Sequence, residues 1–229
     1  LSYIPSNDFS YYDQTLDMTC LLGNIPERFN WNKQEIGLET LFLMARGKLS
    51  AHQATSFETT ACEMTKWFDT NYHYIVPEFM SQTTFKLSSS KLFDDYTEAK
   101  QCGIETRPVL LGPVSYLSLG KEYDQDTNFS RFDLFEKIIP VYNAIFEKCA
   151  QMGVEWVQMD EPIFNSNLTK LQKELLKKAY DGFKTINRPK IQLTSYFGEL
   201  RENADVYFKL PADAYHVDCV SAGNEFKQC

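Results

Sequence analysis

Short apolar runs alternate with longer amphipathic helical patterns along most of this chain, and that alternation limits the fold more than any other feature. The runs are Tyr74–Phe79, Thr106–Leu117, Val154–Pro162, Lys190–Gly198 and Ala214–Val220. They are nearly continuous in apolar residues rather than strictly alternating. Strands of a parallel sheet covered on both faces read this way. Between them, Asp133–Met152 carries Phe135, Ile138, Ile139, Tyr142, Ile145, Phe146 and Cys149 on one helical stripe. Asp133 and Glu136 resemble its capping pair, Pro140 should kink it, and Gly153 is a natural stop. Leu168–Ile186 opens on a T-x-x-Q capping box, Thr169 and Gln172, and turns Leu171, Leu175, Leu176, Ala179 and Phe183 inward. Lys91–Gln101 is a shorter helix burying Leu92, Phe93, Tyr96 and Ala99, and Glu39–Gly47 is helical in pattern.

Strand, helix, strand, repeated, means an α/β fold with a parallel sheet and right-handed crossovers. No G-x-G-x-x-G follows a strand, which disfavours an open dinucleotide fold. Glu78, Ser115, Asp160, Glu161 and Tyr196 fall at or just past strand C-termini, the face on which (β/α)8 TIM-type barrels build their sites. About five strands are legible where a closed barrel needs eight. The expectation is an incomplete barrel, residues 1–229 being part of a longer protein whose start precedes Leu1.

The formal net charge of −8 disfavours a nucleic-acid partner. No stretch is long and apolar enough for a membrane span, and Leu1–Ser10 does not resemble a signal peptide. The 6 cysteines, Cys20, Cys62, Cys102, Cys149, Cys219 and Cys229, are scattered without a C-x-x-C pair. They read as reduced thiols of a cytoplasmic protein.

Several residues could carry chemistry. Met64–Phe79 mixes Lys66, Asp69, Asn71 and His73 with Trp67, Phe68, Tyr72, Tyr74 and Phe79, suggesting a packed loop that feeds a strand and meets a ligand. Lys66, its stem packed by rings, suits a carboxylate partner; the plainer reading is a salt bridge to Glu63 or Asp69. In Gln158–Pro162 the adjacent Asp160 and Glu161 point to opposite sides, so one could serve as a general base; capping or pairing is the plainer role. His216 and Cys219 have metal-ligand spacing without a companion cluster, and His52 and His73 are isolated. Arg46 and Lys48 sit around Gly47 at a helix end and suit the helix dipole or an anion. No G-x-S-x-G elbow supports a triad.

Glu63–Phe79, "EMTKWFDTNYHYIVPEF", closely resembles a signature of cobalamin-independent methionine synthase. "LLGNIPERF" from Leu21, "TRPVLLGPVSYL" from Thr106, "EWVQMDEP" from Glu155, "LTSYFG" from Leu193 and "YHVD" from Tyr215 agree in the same order. The resemblance implies the N-terminal of two face-to-face (β/α)8 barrels in a monomeric enzyme. That enzyme would transfer a methyl group from 5-methyltetrahydropteroyltriglutamate to homocysteine, with a zinc ion in the C-terminal barrel and no cobalamin. It implies that Lys66, and more weakly Asn71, hold the folate's polyglutamate tail. Trp67, Phe68, Tyr72 and Tyr74 would pin the loop. No catalytic residue or metal ligand is then expected in this chain, and the DEP acids are relics of a duplicated site. Two alternatives remain open: a glycoside hydrolase using Glu78 with Asp160 or Glu161, and a non-catalytic barrel kept as a binding module.

Overall fold

A computed structural model describes residues 3–32, 34–48, 59–123 and 128–221. The chain opens with β1 (Ile4–Pro5), α1 (Gln14–Leu21) and α2 (Leu38–Arg46). Next come β2 (Met64–Lys66), β3 (His73–Ile75), β4 (Glu78–Phe79) and α3 (Lys91–Gln101). The middle holds β5 (Thr106–Arg107), β6 (Val109–Leu111), α4 (Pro113–Leu119), β7 (Lys121–Glu122) and α5 (Phe135–Gln151). It closes with β8 (Trp156–Asp160), α6 (Lys170–Phe183), β9 (Lys190–Thr194), α7 (Ala204–Tyr207) and β10 (Ala214–His216).

The architecture is α/β with parallel pairing. The largest sheet runs β10-β9-β8-β6, every neighbour parallel. Its register sets Leu111 beside Asp160, Asp160 beside Thr194, and Thr194 beside His216, so the strands' C-terminal ends share one edge. β1 pairs with β5 and β4 with β7, both parallel. Among the described residues these sheets do not join into a closed ring.

All five expected strands are shorter than their apolar runs or divided, and in two of them a proline interrupts the run. Tyr74–Phe79 is divided into β3 and β4 around Val76–Pro77, and Thr106–Leu117 is divided at Pro108 and stops at Leu111. Proline has no amide hydrogen to place in a ladder. Pro113 then occupies the first turn of α4, where a missing N–H costs nothing, so "PVSYL" is helix and not strand. The cap of the long helix also lies earlier than expected. Ser130 and Asp133 form the capping box, and a 3₁₀ turn, Arg131–Leu134, leads into α5. α5 runs on through Pro140.

The capping box at Thr169 and Gln172 is present, and α3 has the expected bounds. On α6, Leu176, Ala179, Tyr180 and Phe183 are buried, whereas Leu171 in its first turn is exposed. One large core joins the sheet to α3, α4, α5 and α6. A second cluster, including Leu16, Cys20, Phe29, Met44 and Cys62, lies under α2.

Helix α6 offers a paired test in a urea titration. A Cβ at Gly182 would meet nothing within 4 Å, so Gly182→Ala should raise stability by about 0.4–1 kcal/mol. Thr169→Ala removes the side-chain bond to Gln172 N and should lower it by about 1 kcal/mol.

Candidate functional site

Lys66 and Asn71 both belong to a hairpin, and Lys66 stands on a strand where the composition suggested a loop. β2 and β3 pair antiparallel, with Met64 opposite Ile75, Thr65 opposite Tyr74 and Lys66 opposite His73. The turn between them is held by its own backbone. Trp67 N donates to Tyr72 O at 2.8 Å, and Thr70 N to Trp67 O at 3.1 Å. The Thr70 hydroxyl donates to Trp67 O at 2.6 Å and accepts from Tyr72 N at 3.1 Å. These bonds hold Phe68 at φ 48°, a left-handed conformation that a bulky residue rarely adopts unsupported. His73 Nδ1 lies 3.0 Å from Asn71 O, tying the tip to the strand that faces Lys66.

Rings anchor the base of the hairpin. Trp67 is buried and meets Phe68 and Tyr74 edge-on, with centroids 5.4 and 5.6 Å apart. The Tyr74 hydroxyl donates to Leu119 O at 2.8 Å. Asp13 caps α1 through Leu16 N at 2.8 Å and also accepts from Ile75 N at 2.9 Å, joining that helix to β3. Burial pushes the Asp13 carboxyl up to about 6, although these amide bonds pull it back. Tyr72 does not join the anchor; it is 71% exposed.

Lys66 is exposed. Among the described residues it has no ion-pair partner. Glu63, one partner considered for it, is engaged by Lys121 at 2.5 Å. Asn71 is also exposed. The fold thus sets a cation and an amide at one end of a rigid hairpin, both directed to solvent. A cleft of about 410 Å³ adjoins them, walled by Trp67, Tyr72, His73 and Tyr74 on the hairpin side and by Asp13, Asp17 and Lys91 elsewhere. Lys66 and Asn71 stand outside its lining.

Each carboxylate of the glycosidase alternative has an internal partner, although Glu161 Oε1 is buried without one. Glu78 is gripped by Arg28 through two bonds of 2.5 and 2.6 Å. Arg28 also donates to Thr60 O and lies over the Phe29 ring. Asp160 accepts from the Tyr196 hydroxyl at 3.1 Å and from Gln158 Nε2 at 2.8 Å. Glu161 turns to the start of α4, where its Oε2 accepts from Ser115 N at 2.9 Å. The two neighbouring acids do diverge, as a strand demands, but both are buried. Gly112 gives Glu161 its room: a Cβ there would lie 2.1 Å from Oε1.

The other singled-out residues have plainer surroundings. His216 Nδ1 lies 3.1 Å from Ser195 O, and Cys219 is exposed. No group of three metal-ligating side chains comes together among the described residues. Arg46 lies over the rings of Tyr12 and Phe42. His52 and Cys229 lie outside the described residues. Two polar residues that organise the region, Arg28 and Asp13, escape sequence reading. Arg28 meets Glu78 across fifty positions, and only the placement of Asp13 before an amphipathic run hints at a cap.

Burial pushes Asp160 up to about 6 and Glu161 to about 7, each drawn back by its hydrogen bonds. In an unfolded chain such groups titrate near ~4. Between those values the folded state keeps protons that the unfolded chain releases. The stability these two acids contribute is therefore full below about 4 and is lost as pH rises towards about 7. The urea midpoint should decline over this window, and the double change Asp160→Asn, Glu161→Gln should flatten the decline. An unchanged slope in the double variant would contradict this origin.

A family model described as the cobalamin-independent synthase, N-terminal domain, matches residues 1–229. A 5-methyltetrahydropteroyltriglutamate–homocysteine methyltransferase of Salinibacter ruber is 45% identical over 219 residues, 95% of this chain and 28% of that protein. A protein of the same name from Saccharomyces cerevisiae is 44% identical over 229 residues, 98% of this chain and 30% of its own length. The chain therefore spans under a third of these curated relatives. A solved B12-independent methionine synthase from Shewanella sp. W3-18-1, in complex with selenomethionine, is a distant match at TM-score 0.41 and 22% identity. It covers 61% of this chain and 40% of that one.

Proposed function

The chain belongs to the cobalamin-independent synthase family, as its N-terminal domain, and from that premise we propose that it is part of a methionine-forming methyltransferase. The full enzyme moves a methyl group from 5-methyltetrahydropteroyltriglutamate to the thiol of homocysteine, the reaction implied by the names of its relatives. Residues 1–229 form part of a (β/α)8 TIM-type barrel that scaffolds a C-terminal catalytic barrel within one monomer. The parallel β10-β9-β8-β6 sheet supports this reading.

The observation that carries the proposal is the uncommitted Lys66 ammonium on a preorganised hairpin. A polyglutamate tail is a flexible polyanion. The strand fixes the Lys66 backbone, so only its side chain needs ordering on meeting it. Lys66 binds one tail carboxylate by a charge-assisted hydrogen bond, and Asn71 at the hairpin tip adds a weaker contact. Neither touches the reacting atoms, so this segment contributes affinity and not chemistry.

Zinc, when bound in the full enzyme, supplies a Lewis acid that holds the homocysteine thiol as thiolate. The described residues of this chain bring no three candidate ligands together. The chain by itself is expected to form no methionine. No helix of the described residues is long and apolar enough to cross a membrane. Free thiols at Cys20, Cys62, Cys102, Cys149 and Cys219 fit a reducing cytoplasm.

Lys66→Ala in the full-length enzyme should raise KM for the triglutamate substrate roughly 10- to 150-fold, the equivalent of about 1.5–3 kcal/mol. kcat should hold, and KM for the monoglutamate should change much less. Equal effects on both substrates in steady-state assays would remove Lys66 from the tail site.

A further inference from the structure

A second groove, of about 730 Å³, lies between the Phe9–Tyr11 segment, the start of α2 and the outer face of α3. Its apolar lining stands in water: Phe9 is 68% exposed, Tyr11 52%, Leu38 49% and Ile104 47%. Single exposed apolar residues are ordinary, but four along one groove form a contact surface. The rim is acidic, with Glu35, Asp94, Asp95 and Glu98. Ser90 sharpens the point. Its hydroxyl lies within hydrogen-bond reach of both Glu35 and Asp94, at 2.5 Å from the latter. One hydroxyl carries one proton, so two carboxylates converge on a single donor and repel each other. Lys91, the cation of the lining, is already engaged by Asp95 at 2.6 Å and by Phe9 O at 2.8 Å.

We propose that this groove docks a basic amphipathic helix supplied by the remainder of the full-length polypeptide. An apolar stripe at helical spacing would cover Phe9, Leu38 and Ile104, while flanking Lys or Arg side chains meet Glu35, Asp94 and Glu98. A tethered segment would cover these four side chains at high effective concentration. The relatives have the length to supply it, since this chain covers 28% of one and 31% of another. The inference rests on the chain being part of a longer protein and is independent of the substrate reading.

Cys102 lines the groove and is exposed, which makes it the reporter. Purified full-length protein would be treated with iodoacetamide, and Cys102 alkylation followed by peptide mass spectrometry. Native Cys102 should react at least about tenfold more slowly than in the denatured protein. The exposed-site double change Asp94→Lys, Glu98→Lys should restore most of the rate. Raising salt should speed labelling of the unaltered protein, a readout that does not depend on the variant folding. The proposal fails if native Cys102 reacts at the denatured rate, as it would were the groove open or reserved for a separate protein. It fails if protection vanishes on dilution, which would assign the groove to a second copy. It fails too if neither salt nor charge reversal changes the protected rate, because the cover would then not be basic. None of these outcomes depends on methyl transfer.

Discussion

Proline's missing amide hydrogen divides two of the strands of this protein. Pro77 and Pro108 interrupt what would otherwise be continuous strands, and Pro113 turns the chain from β6 into α4. Because β6 stops at Leu111, the N-terminus of α4 falls beside the end of β8, within reach of Glu161. The hairpin ladder runs one step past β3, where Val76 N donates to Glu63 O just before Pro77. The sheet edge, the buried acids and the hairpin all take their positions from these short strands.

The distribution of charge follows from that geometry. Glu78, Asp160 and Glu161 have internal partners and are shut from water, so they hold elements together. Lys66 and Asn71 have the opposite character, exposed on a hairpin whose turn is closed by bonds from Trp67, Thr70 and Tyr72. A protein that binds a flexible anion gains from this arrangement, because the ordering cost falls mainly on the ligand.

Much of this was legible in the sequence. The α/β class, the bounds of α3, the capping box of α6 and most buried helix faces follow from spacing alone. Strand ends were less legible, since apolar runs such as "PVSYL" suit a buried helix as well as a buried strand, and only the proline arbitrates. Leu171 shows a related limit: it shares the apolar stripe of α6 but lies in the first turn and stays in water. The Lys66 hairpin was drawn to attention by composition, yet its antiparallel pairing was not, because polar residues at 66, 69, 71 and 73 hide the strand alternation. Long-range pairs such as Arg28 with Glu78 leave no local trace.

One carboxylate has a consequence for how the molecule assembles. Asp13 uses one oxygen for the first turn of α1 and the other for Ile75, 62 positions later. Neither contact suffices to desolvate that acid alone. The helix and the hairpin are therefore coupled through one largely buried side chain. A chain cut before residue 75 keeps the local cap on Leu16 N and loses only the tie to the hairpin.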